Sequence, residues 1–92
     1  MPAPDFLFSL DVSDPGAFDA MLDEVSASVF RHAGLPPADA AEMMTALRDE
    51  LAAAASNGAS RCGVQFRARA GELRIDVSAG GRQWHTTRRL PS

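Results

Sequence analysis

Apolar and polar residues alternate with period two at the start of the chain: Phe6, Phe8, Leu10 and Val12 against Asp5, Ser9 and Asp11. That spacing predicts a strand with one face on a core, and Leu7 falls on its outward face. Ser13-Asp14-Pro15-Gly16 ends it; Ser13 or Asp14 can cap a helix and Pro15 fits a first helical turn. Phe18, Met21, Leu22, Val25 and Val29 then recur at three- and four-residue steps, predicting a first helix that runs to about Ala33. Gly34 stops it, and Leu35-Pro36-Pro37 is a short, stiff connection. A second helix starts near Pro37 with Asp39 and Glu42 in its first turn, facing the positive end of the dipole. Its buried face is expected to be Met44, Leu47, Leu51 and Ala54 or Ala55, leaving Met43 for contact with another chain. The small residues Ala52 to Ala55 let a neighbour approach closely before Asn57-Gly58 ends the helix.

Three strands are predicted next. Cys62, Val64, Phe66 and Ala68 alternate with arginines and Gln65. A turn at Ala70-Gly71-Glu72 leads to Leu73, Ile75 and Val77, and Ala79-Gly80-Gly81 suits a tight hairpin into Gln83 to Leu90. The fold class expected is α+β: a two-layer β-α-α-β-β-β sandwich, two helices on one face of a mainly antiparallel four-stranded sheet, with residues 1–92 as one domain.

At 92 residues the chain can bury roughly two-thirds of its unfolded surface, enough for one core. The single cysteine, Cys62, excludes a disulfide framework and reads as a small buried hydrophobe. No apolar run has the length of a membrane helix, and Met1-Pro2-Ala3-Pro4-Asp5 lacks the character of a secretory leader, so a cytoplasmic location is expected. Charge is split: residues 1–60 carry a net −8 and residues 61–92 a net +5, with every base an arginine. An acidic helical half therefore lies beside an arginine-bearing sheet half.

The layout, with "MMTALRDELAAAASNGA" ahead of the hairpins and an Arg89-Leu90-Pro91 ending, resembles the GHKL ATP-binding domain, in particular the small anti-sigma-factor serine kinases and histidine-kinase ATPase domains. In that family a helix carries a Glu that positions the nucleophile, followed after four residues by a magnesium-binding Asn and then a His. A later D-x-G-x-G box reads adenine, and a lid covers the triphosphate. On this chain the Glu matches Glu50, but the Asn position is Ala54 and the His position Gly58. The adenine-reading Asp falls on Ser78, beside Gly80, and Gly81 runs directly into the last strand with no room for a lid. Alanine offers no oxygen to magnesium, Ser78 is only a neutral acceptor, and an uncovered site does not exclude water. The resemblance thus implies a degenerate nucleotide site. Catalysis, a nucleotide cofactor and a bound metal are not expected, with Glu50 the residual catalytic candidate.

What remains is contact with macromolecules. The resemblance implies a bacterial signalling regulator or adaptor whose partner is a sigma factor, a STAS-type protein or a kinase-like regulator, with self-association an option. Partner-binding candidates are Asp19, Asp23, Glu24, Arg31 and His32 on the first helix and its junction. Arg67, Arg69, Arg74, Arg82 and Arg89 alternate with apolar residues, so most of them are expected on the sheet face away from the helices, either as a solvated surface or as a docking face. Three of them, Arg67, Arg69 and Arg74, join the partner-binding candidates. The alternatives to an adaptor are an ATP-binding serine or histidine kinase-like protein using Glu50 and Ser78, and a nucleic-acid module using the sheet arginines. Nucleic acid and membranes are not the expected partners, because the net charge is negative and that sheet face lacks an aromatic platform. A Glu on a helix is more commonly paired, with Arg48 or a strand arginine here, than catalytic. His32 and His85 are lone histidines. Trp84 suits either the core edge or an interface.

Overall fold

A computed structural model describes residues 5–13, 20–59 and 61–90. The elements run β1 (Phe6–Val12), α1 (Ala20–Ala33), α2 (Pro37–Ser56), β2 (Cys62–Arg69), β3 (Glu72–Ala79) and β4 (Arg82–Arg89). This is the α+β order read from the sequence. The expected start of α1 at Asp14-Pro15, with Phe18 and Asp19, lies outside the described residues.

The sheet is antiparallel throughout, in the order β1-β2-β3-β4. The final strand lies beside the third. Both later hairpins close through two residues of positive φ, Ala70-Gly71 and Gly80-Gly81, as turns that match the right-handed twist of the strands require. Tight turns fix the register, and the register fixes the faces. Phe6, Phe8, Leu10 and Val12 share the helix side with Cys62, Val64, Phe66, Ala68, Leu73, Ile75, Val77 and Ala79. The opposite, open face carries Leu7, Ser9, Asp11, Gln65, Arg67, Arg69, Glu72, Arg74, Asp76, Ser78, Gln83, His85, Thr87 and Arg89.

The core is sealed between α2 and the middle strands. Met43, Leu47, Leu51 and Ala54 pack with Phe66, Val64, Leu73, Ile75 and Val77, all essentially inaccessible. Of the adjacent pair, Met43 and not Met44 is buried. At about 100° per residue, Met43 and Glu50 lie on one side of the Leu47–Leu51–Ala54 line and Met44 on the other. The helix is rolled toward the side that carries Glu50, leaving Met44 half-buried. Of the two alanines offered for this face, Ala54 is the buried one.

The stripe of α1 is likewise turned from the predicted one. Leu22, Ser26, Phe30 and Ala33 are buried, while Val25 and Val29 are half-buried. Phe30 sets this rotation: its ring meets Phe66 edge-on with centroids 6.1 Å apart, and an aromatic in that geometry gains more than the valines it displaces. Both helices end on a left-handed glycine. Leu35 N–H donates to Phe30 C=O past Gly34, and Ala59 N–H donates to Ala54 C=O past Gly58. This six-to-one bond satisfies a carbonyl that the helix itself leaves open.

Candidate functional site

The positions matched to a nucleotide site do not converge. Glu50 is buried on the helix side, and its carboxylate accepts two hydrogen bonds from Arg82, from Nε at 2.9 Å and Nη2 at 3.3 Å. Ala54, one turn further on, is part of the core. Ser78 is exposed on the open face, across the sheet from both, and Gly80 is exposed in the β3–β4 turn. The strand pleat makes this separation unavoidable: Val77 and Ala79 face the helices, so Ser78 between them cannot.

Arg82 departs from the expectation that it projects from the open face. The two-residue Gly80-Gly81 turn sets Arg82 directly across from Ala79, whose side chain is on the helix side, so Arg82 must share it. Arg88 follows by the same parity and donates to Glu42 at 3.3 Å. Two arginines of β4 thus clasp two glutamates of α2. Trp84 and Thr86 lie between them, half-buried, with Trp84 packed against the core. Glu50 also acts on Cys62: burial pushes that thiol above its ordinary value, and the neighbouring carboxylate raises it further.

The helix-one candidates are dispersed. Asp23 is joined to Arg48 of α2 at 2.6 Å and serves as a helix–helix tie. Glu24 and Arg31 are exposed on the outer surface of α1, around a shallow depression with Val25, Ala27 and Ser28. His32 turns toward β1, its ring 5.4 Å from that of Phe6. Asp19 is outside the described residues.

On the open face Arg67, Arg69, Arg74 and Arg89 project as expected. Arg74 donates through Nε to both oxygens of Asp76, at 2.9 and 3.1 Å. Arg67, Arg69 and Arg89 have no ion pair among the described residues. Asp76, Ser78 and His85 lie together here, yet no hydrogen bond joins them among the described residues, and Arg74 holds the Asp76 carboxylate. This is not the arrangement that activates a serine.

One feature was legible only in part. Leu7 is 61% exposed and Phe8 41%, on opposite faces of β1. Phe8 points to the helix side as its spacing predicts and touches Phe66, but β1 is the sheet edge and the helices do not cover it fully. Phe6, Leu7, Phe8, Val25, Val29 and His32 line an apolar groove of about 420 Å³ along that edge. No helix among the described residues is long and apolar enough to cross a membrane. Protein-family models, curated proteins and solved structures all fail to match this chain.

Proposed function

We propose that this chain is a non-catalytic interaction module, a regulator or adaptor of the anti-sigma or phosphorelay type, that docks a protein partner through the outer surface of α1. The observation that carries this reading is the commitment of Glu50. A carboxylate held bidentately by Arg82 in the core wall is not free to position a nucleophile, and Ala54 beside it brings no metal-binding oxygen. The exposed charges of α1, Glu24 and Arg31, with His32 at the groove, supply a mixed polar surface of the kind that rims protein interfaces. The partner class, a sigma factor, a STAS-type protein or a kinase-like regulator in bacteria, follows from the resemblance set out above.

Calorimetric titration with magnesium-ATP tests the first half, with Glu50→Ala as control. No binding tighter than about 100 μM is expected (roughly −5.5 kcal/mol); tighter binding lost in the control would overturn the reading in favour of a kinase-like protein. For the second half, the purified chain is expected to co-elute with a sigma factor or STAS-type protein. Reversing Glu24 and Arg31 together should abolish that complex without altering the circular dichroism spectrum.

A second reading, nucleic-acid binding by the open face, is favoured by Arg67, Arg69 and Arg89, which have no ion pair among the described residues. It is opposed by Glu72 and Asp76 on the same face and by the lack of a Phe, Tyr or Trp there among the described residues. Steep loss of oligonucleotide binding with salt, reduced by Arg67→Ser, would support it.

A further inference from the structure

We infer that two copies of this chain pair along β1, antiparallel about a two-fold axis at Ser9, to form one continuous eight-stranded sheet. The two edges of the sheet are built differently. β4 carries Arg82, His85, Arg88 and Arg89 within eight residues, the dense charge by which an edge strand discourages pairing. β1 has no basic residue, no proline and no bulge; its register with β2 is unbroken from Phe6↔Ala68 to Val12↔Cys62. Among the described residues no strand pairs with its outer edge. It also exposes Leu7 on one face and Phe8 on the other, so an added strand would cover apolar surface on both sides at once.

The charges select the register. Ser9 is the midpoint of Phe6–Val12, so an axis there pairs the full strand. On the helix side Phe8 then lies opposite Leu10 of the second copy, and Phe6 opposite its Val12. On the open face Leu7 lies opposite the second copy's Asp11. Leu7 neighbours Arg67 in the β1–β2 register, so each end of the seam brings an Asp11 carboxylate, which lies 3.7 Å from the exposed Arg61 of its own chain, within reach of an Arg67 that has no ion pair among the described residues. An axis shifted by one residue, at Phe8, would instead set Asp5 against Asp11, like charges directly opposite. The pairing is isologous and closes at two copies. Because it uses β1 and not the Glu50 region, it holds whether or not the chain binds nucleotide.

Sedimentation velocity on the full chain tests it, with the expected species at twice 9.8 kDa. Leu7→Glu puts two carboxylates opposite each other at both ends of the seam and should weaken the dimer at least about tenfold. Adding Asp11→Lys to that variant should restore it. Ser9→Cys, which faces itself across the axis, should form an intermolecular disulfide under mild oxidation, and Leu7→Cys should not. Circular dichroism confirms that each variant folds. A monomer at all concentrations overturns the inference, as does indefinite growth from β1 joining β4 of the next copy, or failure of the charge swap to rescue.

Discussion

Replacing Arg82 by methionine should destabilise this protein more than replacing Glu50 by glutamine, although the two residues form one ion pair. The reason is unequal burial. The Glu50 side chain is 8% exposed and that of Arg82 47%. Losing one partner of a fully buried pair costs about 3–5 kcal/mol, mostly from the charge left behind without water. Arg82 left alone turns into solvent at little cost; Glu50 left alone cannot. Arg82→Met should therefore cost about 2–3 kcal/mol, and Glu50→Gln, which keeps its volume and one acceptor, about 1 kcal/mol. The double variant Glu50→Gln/Arg82→Met leaves no buried charge without a partner and should lie within about 1 kcal/mol of Glu50→Gln alone, a coupling of about 2 kcal/mol. In a domain this small, the Arg82→Met loss lowers the melting temperature by roughly 10–20 °C. Urea titration at neutral pH measures all four proteins. The single tryptophan, Trp84, is two residues from Arg82 on the same face and supplies a native fluorescence signal. Equal losses from the two single variants, with no coupling, would refute the clasp and return Glu50 to the list of groups free for chemistry.

Three further outcomes are expected. Ser26 is fully buried and its hydroxyl has no hydrogen-bond partner among the described residues, so Ser26→Ala should stabilise by about 1 kcal/mol through desolvation and helix propensity together, read by the urea midpoint. Ala70 adopts φ 54° in the β2–β3 turn, where an L-residue other than Asn or Gly is strained; Ala70→Asn should gain about 0.5–1 kcal/mol in the same assay. Burial, reinforced by the Glu50 carboxylate, makes the folded Cys62 hold its proton to higher pH than the unfolded chain does. That contribution to stability is complete below the ordinary thiol value of 9.0 and is lost as pH rises above it toward the folded value. Cys62→Ala should flatten this alkaline decline, and a persistent slope in that variant would exclude the thiol as its source.

Element types, order and face parity were readable from the chain alone, because they rest on local geometry. Period two in Cys62–Ala68 and Leu73–Val77, left-handed glycines at Gly34, Gly58 and Gly80-Gly81, and proline at Pro37 each restrict the backbone within a few residues. Those signals carry the α+β architecture and the open-face positions of Arg67, Arg69, Arg74 and Arg89. Side-chain partnership across the fold was beyond them. Met43 displaced Met44 and Phe30 displaced Val25 because a helix's roll is settled by what it packs on, and neighbouring stripes differ little in hydrophobicity. Arg82 falls on the helix face because the two-residue turn pairs it with Ala79 and makes it the first residue of β4, seven residues from Arg89 and so on the opposite face of the same strand. The exposure of Phe8 was hidden for a related reason: alternation tells which way a side chain points, and only the order of strands tells whether anything lies above it. Local sequence set the directions of these groups, and the assembled sheet decided which of them met a partner, since burial and ion pairing depend on distances between segments far apart in the chain.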